Sequence, residues 1–186
     1  MNLVGMQKRE YYSPDDHTEL TKAIAEQRPF EDIQKIVKQG ADVNEENFAQ
    51  HTPLHLLLYA FDGKELRTDN VKILNLFVEN GLNVGKGELI DTDYTFVGYA
   101  AYQWQRSLEM CNNKTDLEQL NKRYSESIQI LSNAGEDINE YHYQFNYELS
   151  DLIKGDCAQI IQCLVTCGLS IERLLFAGIT PSKNYR

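Results

Sequence analysis

Residues 33–44, IQKIVKQGADVN, hold a short amphipathic run, a glycine and an apolar residue just beyond it. The same grammar returns in LNLFVENGLNVG at 74–85, IQILSNAGEDIN at 128–139 and IQCLVTCGLSIE at 161–172. The four segments align on Gly40, Gly81, Gly135 and Gly168. Seven residues before each glycine stand Ile33, Leu74, Ile128 and Ile161, and four before stand Ile36, Phe77, Leu131 and Leu164. Three after stand Val43, Val84, Ile138 and Ile171. Apolar residues at −7 and −4 share one helix face, which the glycine ends by taking the left-handed C′ conformation. The +3 residue is expected to tuck back toward the core. A self-similar pattern of this kind predicts stacked units, not one irregular core.

Each of these helices needs a partner, and the second unit announces it. Thr52-Pro53-Leu54-His55 precedes an apolar run, with Thr52 placed to cap a helix and Pro53 at its first position, where no N–H is missed. Thr18 with Leu20, Ala23 and Ile24 fits the same place in the first unit, and Thr95 with Ala100 and Ala101 fits it in the third. The fourth keeps only Leu149, Leu152 and Ile153, with Tyr147 in the threonine place.

With Thr52-Pro53-Leu54-His55 and Gly40-Ala41-Asp42-Val43-Asn44, the chain resembles the ankyrin repeat, a helix–turn–helix of about 33 residues. The resemblance implies an all-α solenoid with short hairpin fingers between units. It places an N-terminal extension at 1–17, repeats at 18–50, 51–93, 94–145 and 146–172, and a cap at 173–186. Within that cap ERLLFAG is expected to be helical, and Gly178-Ile179-Thr180-Pro181 reads as the opening of an undeveloped fifth repeat. The glycines are 41, 54 and 33 residues apart. Insertions of about eight residues at Asp62–Asn70 and about twenty at Gln105–Ser125 follow from the 33-residue period. The second reads either as two lengthened helices with a longer turn or as a protrusion that meets a partner. The resemblance also likens Asn139, eight residues after Leu131, to the asparagine hydroxylated in many ankyrin proteins.

Composition narrows function. Among 186 residues, 28 acids against 18 bases leave a net charge of −10, which opposes a nucleic-acid backbone and favours a basic partner. No run approaches the roughly 18 consecutive apolar residues of a membrane helix. The segment MNLVGMQKREYYSPDD has no apolar core of a secretory leader, so a cytoplasmic location is expected. Delivery into a host cell would then proceed without a cleavable signal peptide.

The resemblance implies that ligands meet the fingers and the first-helix face. Asp42–Gln50, Asn83–Asp93 and Asp137–Asn146 carry net charges of −3, −2 and −2, together seven of the ten excess negative charges. Candidate partner-binding residues are therefore Asp42, Glu45, Glu46 and Phe48 in the first finger and Glu88, Asp91 and Asp93 in the second. The third contributes Glu140, Tyr141, Tyr143 and Phe145. Acids beside aromatic rings suit a basic, amphipathic protein surface. For Phe48 and the tyrosines, packing between repeats is the competing reading. Tyr94, Phe96, Tyr99, Tyr102 and Trp104 are expected in the core, with Trp104 near a helix end and partly exposed.

Chemistry is less in evidence. His51 and His55 lack the intervening Glu of a zinc-protease helix, and His55 is explained as the repeat's own histidine bonding nearby backbone. Cys157, Cys163 and Cys167 fit no common zinc spacing and read as buried thiols of a reducing compartment. No catalytic residue, metal or cofactor is expected. The leading expectation is a monomeric, non-enzymatic protein–protein interaction module, of the kind intracellular bacteria or viruses use as effectors on host proteins. The alternative is an acidic immunity-type inhibitor of a basic toxin enzyme. A third reading, an enzyme or metal protein built on the three cysteines and His142, stands last.

Overall fold

The computed structural model describes residues 17–58, 67–85, 95–111, 114–139, 149–150, 152–153 and 157–179. These residues are helical with turns between, and no strand occurs among them. The helices are α1 Glu19–Ala25, α2 Phe30–Lys38, α3 Pro53–Leu58, α4 Asn70–Glu79, α5 Phe96–Met110, α6 Lys114–Asn133, α7 Ala158–Thr166 and α8 Ile171–Ile179. Residues 149–150 and 152–153 are also helical.

Local chemistry sets the helix ends. Thr18 and Thr95 take extended backbone, and their hydroxyls accept from the N–H of Thr21 and Gly98, so both cap helix N-termini. Thr52 does the same for α3, accepting from His55 N at 3.3 Å. At the other end Gly40, Gly81, Gly135 and Gly168 have φ of 99°, 82°, 104° and 103°. Each glycine N–H donates to the carbonyl three residues back, and the next residue's N–H reaches the carbonyl five back. The paired bonds run Gly40→Val37 with Ala41→Ile36, Gly81→Val78 with Leu82→Phe77, Gly135→Ser132 with Glu136→Leu131, and Gly168→Val165 with Leu169→Leu164. A side chain at such a φ is strained, so glycine stops all four helices in one conformation.

The helices form two layers. Contacts join α1 to α3 and α3 to α5 in one layer, and α2 to α4, α4 to α6 and α6 to α7 in the other. Within units α1 meets α2 and α5 meets α6. One continuous apolar cluster threads both layers. Ile33, Leu74 and Ile128 at −7 are buried, as are all four −4 residues and Val43, Val84 and Ile138 at +3. Each such aliphatic side chain contributes about 1.5–3 kcal/mol relative to exposure.

The last unit departs from the expected pattern. Ile161 is only partly buried, and Ile171 is 71% exposed. Ser170 accepts from Arg173 N at 3.2 Å, so the chain after Gly168 turns straight into α8 instead of forming a finger. α8 therefore begins at Ile171. Gly178 and Ile179 belong to α8, while Thr180 and Pro181, with the rest of 180–186, lie outside the described residues.

The long insertion is a lengthened helix pair in its described part. Leu120 and Tyr124 of α6 are buried. The Tyr124 ring stacks on Trp104 at 6.1 Å and 4°, and its hydroxyl pairs with Ser107 Oγ at 3.0 Å. Trp104 donates Nε1–H to Asn121 Oδ1 at 2.8 Å and is 2% exposed, so it lies inside α5 and is no helix-end residue. Its burial follows from the extra turns of both helices, which enclose it.

Polar side chains tie units together. Asn44 donates Nδ2 to Gly81 O at 2.9 Å and accepts from Asn83 N at 2.8 Å. Asn139 repeats this on Gly168 O at 2.9 Å and Ser170 N at 2.8 Å. Arg67 grips Asp69 through Nε and Nη2, both at 2.8 Å, and Nη2 also reaches Arg28 O at 2.6 Å. Buried Asn70 of α4 meets Ser127 Oγ of α6 at 3.1 Å.

Candidate protein-interaction surface

The first finger is built around Asn47, a buried amide in an acidic loop. Its Oδ1 accepts from Ala49 N at 3.0 Å and His51 N at 2.9 Å. Its own N–H donates to His51 O at 3.0 Å, and Gln50, at φ 62°, donates to Asn47 O at 2.8 Å. These four bonds close the loop into a tight tip. Phe48 sits on that tip and is 85% exposed. At the finger's base Asp42 Oδ1 accepts from Asn44 N at 2.8 Å, and Asn44 then clasps the next unit. The finger is thereby held at both ends.

Asp42, Glu45 and Glu46 are exposed on the same finger. The structure thus brings together four of the candidate residues: three carboxylates and one unpacked ring within seven positions. For Phe48 this decides against packing between repeats. Glu88, Asp91, Asp93, Glu140, Tyr141, Tyr143 and Phe145 lie outside the described residues, as do Tyr94, His142 and Tyr147. Of the other aromatic residues, Phe96 and Tyr99 are buried and Tyr102 is partly buried, with Arg106 stacked 5.7 Å over its ring.

Asn44 and Asn47 are the positions sequence reading passed over. Asn44 carried a signal, since Asn139 stands at the same distance after its glycine. Asn139 is committed to the same clasp.

His55 is fixed for structural reasons. It is buried, its Nδ1 accepts from Thr52 N at 3.1 Å and meets Thr52 Oγ1 at 2.9 Å, and its ring stands edge-on to Phe96 at 5.0 Å. With Nδ1 accepting, the ring proton resides on Nε2. Cys163 is buried, whereas Cys157 and Cys167 are only partly so and cap the two ends of α7. Burial pushes the Cys163 thiol up to about 12, helped by the neighbouring Cys167, and burial also raises Cys167. Such thiols are poor nucleophiles and poor metal ligands. Among the described residues no group of three or more His, Cys, Asp or Glu is placed to hold a metal ion. No described helix is long and apolar enough to cross a membrane.

No family model matches the chain, and neither does a curated protein or a solved structure.

Proposed function

We propose that the chain is a divergent ankyrin-type repeat protein that works by binding another protein, not by catalysis. The repeat reading is supported by four glycine stops of one conformation, three threonine caps, two helix layers and an asparagine clasp used twice. Binding is carried by a single observation: Phe48, 85% exposed on a hydrogen-bonded tip among Asp42, Glu45 and Glu46. The hydrogen-bonded loop backbone loses little further freedom on binding, and an exposed ring on it can anchor in an apolar pocket. The surrounding carboxylates favour a basic rim around that pocket and steer its approach.

Affinity capture tests this reading. Wild-type protein is compared with a Glu45→Lys/Glu46→Lys/Phe48→Ala variant that retains native helical circular dichroism. A partner held by wild type, lost by the variant and weakened by added salt is the expected result. Its identity separates a host target from a basic toxin enzyme. Equal capture by both proteins removes the first finger from the interface.

A further inference from the structure

A groove runs between α6 and α7. Cys163, in the middle of α7, lies against Ser125 of α6, with its Sγ 3.9 Å from the Ser125 carbonyl. Alongside this contact the groove opens to about 660 Å³ between the two helices. Its walls span Glu118 to Gln129 on α6 and Ala158 to Thr166 on α7. At 1.5 Å per residue the longer wall measures about 16 Å, the reach of roughly five extended residues.

The lining chemistry differs from the fingers. Four carboxamides face the groove: Asn121, Gln129, Gln159 and Gln162. Glu118 and Lys122 are the charged members of its lining, and they cancel. A molecule of net charge −10 thus has a groove whose lining is neutral. Asn121 Oδ1 is taken by Trp104, which leaves its Nδ2 for another partner. Trp104 and Cys163 supply an apolar floor beneath the amides.

We propose that this trough is a second binding site, and that its ligand is an extended, uncharged peptide segment. A carboxamide offers one acceptor and two donors, so it can meet both the C=O and the N–H of a peptide unit. Carboxamides on two facing helix walls match a main chain that presents these groups along its length. The charge balance explains why a basic segment is not favoured here. The long, open shape fits a chain better than a compact molecule, and the volume lies within the ordinary range of roughly 300–1,000 Å³.

Trp104 is the protein's one tryptophan, so its emission reports on the groove. Short peptides would be selected by phage display on the full-length protein and titrated while that emission is followed. The expected result is a saturable spectral change with uncharged peptides. Binding should weaken about tenfold or more in Gln159→Lys/Gln162→Lys, whose exposed positions leave the fold intact. The same peptides should bind Glu45→Lys/Glu46→Lys/Phe48→Ala as they bind wild type, which keeps this test separate from that of the finger. Failure to select any peptide would overturn the proposal. So would equal binding by the groove variant, dependence on the finger residues, or selection of basic peptides alone.

Discussion

Asn44 and Asn139 each use a whole carboxamide to join the carbonyl of a helix-ending glycine to the N–H two residues further on. Alanine at either position gives both backbone groups to water, and the expected loss is about 1–2 kcal/mol for two exposed bonds. Aspartate keeps the acceptor but sets a carboxylate against the glycine carbonyl, so Asn139→Asp should lose at least as much in urea titration. Cys163 provides a pH signature. Its folded thiol titrates near 12 against an ordinary 9.0, because burial disfavours the thiolate. Below pH 9 both folded and unfolded chains hold the proton, and its contribution is fully present. Between 9 and about 12 the unfolded chain releases the proton while the folded one keeps it, so stability falls as pH rises. The measurement is a difference: Cys163→Ala should show a shallower alkaline decline than wild type.

The clasp is missing at one junction. Gly85 occupies the place of Asn44 and Asn139, four residues after its glycine, and has no side chain to reach the third unit. A Cβ at Gly85 would meet only Asn83 Oδ1, at an ordinary 3.5 Å, and its backbone carries no positive φ. Gly85→Asn is therefore expected to add about 1 kcal/mol, partly from new bonds and partly from a less flexible unfolded chain. A rise of about 2–4 °C in Tm would show it. What could be read from sequence divides along the same line. The glycine stops and threonine caps were legible because each is decided within three to five residues of chain. The Asn44 and Arg67 bonds span 37 and 39 residues, and no local pattern reveals which carbonyl waits at the far end. The acidity of the first finger was plain from composition. The exposure of Phe48 was not, because it depends on the buried Asn47 amide beside it. Ile171 misled for the opposite reason: it keeps the period of the repeat, but Ser170 starts a helix there and turns it outward.

At the scale of the whole molecule, helix pairs that touch mainly their neighbours raise the question of cooperativity. Trp104, buried between α5 and α6, reports on the third unit, while circular dichroism averages all units. One apolar cluster continuous through both layers predicts that the two signals change together in denaturant. A tryptophan transition displaced from the helical one would mean that the units melt separately. The glycine stops sharpen that measurement. An alanine Cβ at Gly40, Gly81 or Gly135 would meet nothing within 4 Å, and at Gly168 only Ile138 Cγ2 at 4.0 Å. Substituting any of them adds backbone strain of about 1–2 kcal/mol and almost nothing else. The chain thus contains four nearly identical weights hung at four heights of one column. If the column falls as a piece, each weight lowers Tm by the same amount. If it falls in sections, the four shifts differ, and their gradient gives the distance over which one level feels the next.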